Sequence, residues 1–487
     1  MLFNSLHFLV FFPVVTLFYF VLPRKLKNPW LLVTSYYFYM CWQPAYALLI
    51  LFSTVSTYLC SIAIDRAKTH IAKKISLTAS ITINLAILFL FKYYDFFTDN
   101  IAFFADKFGV EINMPVFDLL LPVGISFYTF QALGYAIDVY RGTTKREKSF
   151  FTYALFVSFF PQLVAGPIER SSNLLPQFRE VHKFEYTRVK NGLVLMAWGF
   201  FKKMVIADGV AAFVTLVYTT PTNYGGLQLC IATVLFAFQV YCDFGGYSDI
   251  AIGCAQVLGF RLMRNFNKPY FSTTLQGYWR RWHVSLSSWF SDYVYIPLGG
   301  SRRGPVRTYI NLIITFLVSG LWHGANWTFV LWGFINGVYV CISRAMKPVR
   351  TRLEERYNLR NNALYNTVSA LCVFLLICFG YIFFRANTFA DAGYITANLF
   401  SDINLWFTKG YLAKQLTQIT FFAKNGIALV CCIVLLLVAD LWEGKGELNL
   451  KIAALPAVVR WIIYYGLILL ILCFGNFGKS PFVYFDF

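Results

Sequence analysis

Long apolar runs separated by short basic clusters set the pattern of this chain. Runs of about 17 to 22 residues, each long enough to cross a bilayer as a helix, cover Leu6 to Leu22, Tyr46 to Ile64, Ile75 to Phe91, Leu119 to Tyr140, Leu364 to Phe384, Phe421 to Leu441 and Val458 to Phe474. Tyr309 to Trp322 is shorter and equally apolar. Segments near Trp30 to Trp42, Phe150 to Gly166, Gly192 to Tyr218 and Leu227 to Gly259 carry Pro, Gly or Lys interruptions, which predict short, broken or re-entrant helices lining an aqueous space. The expectation is an all-α integral membrane protein, one polytopic domain over residues 1–487, with about eleven transmembrane helices plus re-entrant and amphipathic ones.

Composition excludes an ordinary soluble globular protein, because 58% of the 487 residues are apolar and only 13% charged. No basic residue precedes the first apolar run and no small-residue cleavage site follows it before Pro23-Arg24-Lys25, so that run reads as a retained helix and not a signal peptide. Basic clusters at Arg24 to Lys27, Arg66 to Lys74, Arg141 to Lys148, Arg179 to Arg188, Arg261 to Arg307 and Arg344 to Arg360 fall between runs, which places them in the cytoplasm. The acidic stretch from Asp95 to Asp118, the segment from Arg385 to Lys414 and the N-terminus then lie on the far side. The net charge of +19 reflects this topology and contact with anionic membrane lipid, not nucleic acid. Eleven cysteines lie mostly inside apolar runs without a CxxC pair, and read as packing residues, with no metal framework.

The five histidines separate by their surroundings. His7 opens the first run, and His70 and His182 sit among charged loop residues, as interfacial or solvated side chains. His283 lies in YWRRWHVSLS, inside the basic segment Arg261 to Arg307, whose eight Lys or Arg residues face only Asp292. Its mixture of aromatics and charge predicts amphipathic helices lying in or dipping into the cytoplasmic leaflet. His323 lies in SGLWHGANW, at the end of an apolar run. A helix from Thr308 would carry it on the order of 24 Å inward, and Asn326 to Ser343 returns to Arg344, so Gly324-Ala325-Asn326 is the turn of a helical hairpin. An ionisable side chain at such depth is costly and points to function. Two readings of His323 stand: a neutral imidazole that takes a proton from an attacking hydroxyl, or a ring hydrogen-bonded to a backbone carbonyl that orients Trp322 and Trp327.

A second polar cluster is YCDFGGYSDI, with Asp243 and Asp249 around paired glycines. It predicts a helix break with Asp249 capping the second half. The carboxylates either orient a histidine or a substrate hydroxyl, or pair with basic residues of the Arg261 to Arg307 segment. Arg280 and Arg281 suit either substrate phosphates or lipid headgroups. Trp322 and Asn326, flanking His323 and its turn, complete the candidate substrate-contacting set. Leu121 to Gly142 is hydroxyl-rich for a spanning helix, and FFPQLVAGPIER over Phe159 to Arg170 has two prolines that suit a re-entrant turn.

Seven motifs in order, LPVGISFYTFQALGYAIDVYRG, FFPQLVAGPIER, YCDFGGYSDIAIG, RNFNKPY, YWRRWHVSLS, YIPLGG and SGLWHGANW, resemble the membrane-bound O-acyltransferase (MBOAT) family, in its alginate O-acetylase branch, over nearly the whole chain. The family's membrane histidine matches His323; the second family position, asparagine or aspartate in some branches, is His283 here. The resemblance implies a multi-helix core around a tunnel, with catalytic residues within about 119–345, and no cofactor. It implies acetyl-CoA entering from the cytoplasm and an acetyl group leaving for an exported polysaccharide such as alginate, in a bacterial inner membrane. An SGNH-hydrolase-like partner outside would complete the transfer. His323 is then general base or acyl-transferring centre, and His283 assists it or positions the donor. Gly245 departs from the serine common in the branch, and the C-terminal aromatic tail Pro481 to Phe487 has Asp486 where glutamine is commoner. Two alternatives remain: D-alanyl transfer to teichoic acid from a carrier-protein thioester, and a transporter without acyl chemistry, for which interrupted helices also speak.

Overall fold

The computed structural model describes residues 1–110, 112, 114–115, 117, 120–417, 420–444, 446–478 and 482, apart from the side chains of 416–417 and 420–425. The expected run start at Leu119, Asp118, the first side chains of the run from Phe421, and the aromatic tail other than Phe482 lie outside the described residues. Every regular element among the described residues is helical. Eight of these helices are long and apolar enough to cross a membrane: Tyr46–Arg66, His70–Lys107, Gly226–Leu258, Pro305–His323, Trp327–Ala345, Ala363–Arg385, Gly426–Glu443 and Ala457–Phe474. Of the further passes expected from sequence, Leu6–Val21 is one shorter apolar helix, the run from Leu119 is helical over Ile125–Arg141, and Phe150 to Gly166 is divided at Phe159.

The chain forms two compact units, one of residues Met1–Leu193 with Ala251–Met263, the other of Val194–Ile250 with Arg264–Phe487. In the first unit, α1 (Leu6–Val21) begins at Ser5, whose hydroxyl accepts from the Phe8 amide at 3.2 Å, and α2 (Arg24–Met40) follows. The spans α3 (Tyr46–Arg66) and α4 (His70–Leu88) are joined by a buried hydroxyl–amide cluster. Ser53 donates to Asn84 Oδ1 at 2.6 Å, and Asn84 Nδ2 donates to Thr57 at 2.9 Å. The run expected from Leu119 becomes helical only at α5 (Ile125–Arg141). Gly124 precedes it with φ 77°, and a Cβ there would lie 2.7 Å from the Leu163 carbonyl.

The two-proline segment turns within the first unit, as helix Phe150–Ser158 ends and Phe160–Leu163 begins a new direction at the buried Phe159. Glu169 ends this turn almost fully buried, accepting from Asn173 Nδ2 at 2.7 Å and from the Met263 amide. Burial pushes its carboxyl up to about 7, against those hydrogen bonds. His182 departs from the solvated loop position expected of it. It is buried, its Nε2 at 2.9 Å from the Gln177 carbonyl and its ring 4.5 Å from Phe260.

The second unit takes α6 (Tyr186–Phe200) from Val194 onward, and the helix passes there into a π-helical stretch, Phe201–Ala207, and then helix Asp208–Thr219. Next comes α7 (Gly226–Leu258), in this unit up to Ile250, whose 33 residues run unbroken through Gly245-Gly246, so Asp249 caps nothing. The helix keeps a glycine there for a different reason. A Cβ on Gly246 would lie 2.7 Å from the Gly199 carbonyl, and one on Gly199 2.6 Å from that of Gly246, so α6 and α7 touch backbone to backbone. The start of α7 is held by Asp402, which accepts from the Leu227 amide at 3.1 Å, Trp406 Nε1 at 2.7 Å and the Tyr411 hydroxyl at 2.6 Å.

The basic segment after α7 folds inward. It makes short helices at Leu275–Trp279 and α8 (Val284–Phe290), with Tyr270, Tyr278, Trp282, Leu286, Trp289 and Phe290 buried. The expected amphipathic surface layer is therefore a core: Tyr278 and Trp282 stack at 5.5 Å, and the Tyr278 hydroxyl meets that of Tyr381 at 2.9 Å. Arg280, Arg302, Arg303 and Arg307 are left on the exposed side. The predicted hairpin is present as α9 (Pro305–His323) and α10 (Trp327–Ala345) around the turn Gly324-Ala325-Asn326. The spans α11 (Ala363–Arg385), α12 (Thr420–Glu443) and α13 (Ala457–Phe474) complete this unit.

Candidate active site

His323 is the last residue of α9 and 5% exposed. Its ring lies in an aromatic enclosure, with centroids 4.9 Å from Trp322, 5.1 Å from Trp332 and 5.3 Å from Phe384. Two of these neighbours come from other spans, α10 and α11, so the enclosure forms only when the hairpin and α11 pack together. Trp332 and Phe384 escaped the sequence reading because each sits in an apolar run where nothing sets it apart.

His283 reaches the same place by another route. It precedes α8 with φ 43° and ψ 55°, a left-handed conformation uncommon outside glycine. Asn265 holds this turn. Its backbone carbonyl accepts from the Val284 amide at 2.9 Å, its side-chain oxygen accepts from the Ser285 hydroxyl at 2.6 Å, and its Nδ2 donates to Ser248 of α7 at 3.0 Å. The turn drives the His283 ring inward to 1% exposure, 4.5 Å from Phe244 and 6.2 Å from Trp322. The Trp322 indole thus packs against both imidazoles. His283 lies outside the membrane-spanning helices, and burial pulls its pKa down to about 3, so its ring is neutral at pH 7.

Beside this aromatic pocket lies a buried charge network. Lys203, on the π-helical stretch, bridges Asp208 at 2.8 Å and Asp243, and Lys202 pairs with Asp249. The Tyr241 hydroxyl donates to Asp440 at 2.8 Å, and Arg264 pairs with Glu443. The close ion pairs of Asp243 and Asp249 run to two consecutive lysines, while Arg264 of the Arg261 to Arg307 segment also acts on Asp249 electrostatically. A π-helical turn shifts the side-chain register, which lets both lysines face the carboxylate-bearing side of α7. Asp243 precedes Phe244 on α7, so the network fixes the stretch of helix whose ring packs on His283.

The remaining candidates are placed differently. Arg280 is exposed and Arg281 partly so, close in sequence to His283 but on the outward side of the turn. Asn326 caps α10, accepting from the Thr328 amide at 3.0 Å, which commits its side-chain oxygen to the helix start. The structure brings together His283, Trp322 and His323, with Asp243 and Asp249 in the adjoining network.

Two histidines buried against one indole, His323 at the end of a span and His283 at the turn before α8, form the candidate site. The model of the membrane-bound O-acyltransferase family matches residues 146–384, which include both histidines, both aspartates and both lysines. The chain is 38% identical over 426 residues to the probable alginate O-acetylase AlgI of Azotobacter vinelandii, covering 86% of this chain and 82% of that protein. It is 35% identical over 424 residues to the peptidoglycan O-acetyltransferase of Helicobacter pylori, covering 80% and 78%. Similarity to the teichoic acid D-alanyltransferase of Bacillus subtilis is 24% over 285 residues, covering 56% and 71%. The chain belongs to the membrane-bound O-acyltransferase family, and is a multi-pass membrane O-acyltransferase.

Proposed function

We propose that this enzyme takes an acetyl group from acetyl-CoA on the cytoplasmic side of a bacterial inner membrane and delivers it outward, for O-acetylation of an exported polysaccharide such as alginate. The observation that carries the reading is the meeting of His283 and His323 at Trp322. His323 accepts the proton of a hydroxyl as its oxygen attacks the thioester carbonyl carbon; the C–S bond breaks and the imidazolium returns the proton to the leaving sulfur. His283, neutral at the same indole, positions the donor. Arg280 and Arg281 meet the donor's phosphates. The aromatic enclosure excludes water, so the thioester is not lost to hydrolysis. The acceptor hydroxyl belongs to an SGNH-hydrolase-like partner outside the membrane, which passes the acetyl group to the glycan. Relatives named for O-acetyl transfer match more of this chain, at higher identity, than the D-alanyltransferase does, which supports acetyl over D-alanyl.

The test is release of free CoA by purified protein given acetyl-CoA, with the partner added or omitted and His323→Ala beside it. Release that needs both partner and His323 is expected. Release unaffected by His323→Ala overturns the role of that residue. No release under any condition overturns acetyl-CoA as donor and moves the test to a carrier-protein thioester.

A further inference from the structure

A cavity of about 270 Å³ lies in the second unit away from the two histidines, among α6, α12, α13 and the short helix Leu448–Ala453. Its walls include Val194, Trp198, Ala439, Leu448, Ile463 and Gly466. The lining is almost wholly apolar, with Asn449 and indole nitrogens its polar members. Water needs two to four polar partners to occupy such a space, and these walls do not supply them. An alkyl chain needs none.

The surroundings of one end say what the chain is attached to. Trp442, Trp461 and Tyr465 are exposed where α12 ends and α13 begins, the arrangement that marks the headgroup level of a bilayer. Two cations lie on the same connection, Lys451 on the short helix Leu448–Ala453 and Arg460 in the first turn of α13. Lys451 donates to the Trp442 carbonyl at 2.6 Å, and Arg460 donates to the Ala453 carbonyl at 3.2 Å through one of its five N–H groups. Of the acidic groups nearby, Glu443 is paired with Arg264, and Glu447 points to the exposed side. We propose that this cavity is a binding site for one acyl chain of an anionic phospholipid, with the headgroup phosphate held by Lys451 and Arg460.

Gly466 provides the means of testing it. A Cβ built there meets nothing within 4 Å, so Gly466→Phe has open space at its first carbon for a ring that occupies the cavity, and Ala439→Leu occupies it from α12. Delipidated protein is mixed in detergent with phosphatidylglycerol or phosphatidylcholine and weighed by native mass spectrometry; size-exclusion profiles report folding. The wild type retains one phosphatidylglycerol, and either filled variant loses it. The double variant K451Q/R460Q keeps a lipid, but its preference for phosphatidylglycerol falls by about fivefold per cation removed. A wild type that retains no lipid or takes phosphatidylcholine as readily, or a folded filled variant that retains as much as wild type, overturns the proposal.

Discussion

The aromatic enclosure of His323 and the lysine–aspartate network lie in the same unit and bury ionisable groups in opposite ways. Around His323 the neighbours are rings, 4.9 to 5.3 Å away, with Phe384 and Trp332 contributed by separate spans. Around Lys203 the neighbours are the carboxylates of Asp208 and Asp243. A ring set among rings matches the proton exchange proposed for His323. A bridged cation is costly to disturb, so it suits holding helices in register. The difference teaches that burial of an ionisable group alone does not mark a reacting residue; what surrounds it decides.

The largest effect belongs to the enclosure. His323→Ala lowers CoA release by about 10²–10⁴-fold, while its unfolding temperature in detergent stays close to wild type. Second comes Lys203→Met, which leaves two buried carboxylates without their shared cation and destabilises by about 3–5 kcal/mol. Adding Asp243→Asn recovers part of that loss. If His323→Ala unfolds as early as Lys203→Met, the contrast fails. A smaller effect is expected from Gly246→Ala, whose added carbon meets the Gly199 carbonyl at 2.7 Å and forces α6 and α7 apart, at about 1–3 kcal/mol.

The last effect is a pH slope. Native His283 binds no proton until about pH 3, whereas the unfolded chain binds one near the ordinary 6.5, so stability falls as pH drops from about 6.5 to 3. Glu169 acts in the other direction. It holds its proton up to about pH 7 in the folded protein, against an ordinary 4.5, so its contribution is lost as pH rises between those values. Denaturation of His283→Asn, which the left-handed backbone accepts, beside wild type isolates the histidine: the variant shows the shallower decline on the acid side.

Much of the hairpin was legible in the sequence, because an apolar run that stops at SGLWHGAN and resumes toward Arg344 can only turn back. The position of His323 at the helix end follows from that pattern. The ion network was not legible. Lys202 and Lys203 read only as interruptions of the Gly192 to Tyr218 run, since nothing in the local pattern shows that a π-helical turn aims both at carboxylates some forty residues on. Gly245-Gly246 read as a break because glycine weakens an isolated helix; the reason for Gly246 lies on another helix, at Gly199. The basic segment read as amphipathic helices in the leaflet because a mixture of aromatics and charge does not say whether the aromatic side meets lipid or protein. Those aromatics, Tyr270, Tyr278 and Trp282, form part of the core while the arginines point away.

The left-handed backbone at His283 also restricts what can stand there. Few side chains accept that conformation; asparagine, aspartate and histidine are the ones enriched in it, and glycine adopts it freely. Three of those four are the residues that the family resemblance gives for this position across its branches. The main chain therefore narrows the mutational alphabet at position 283 before any reaction selects from it, and a saturation library there should yield folded protein chiefly with Asn, Asp and Gly.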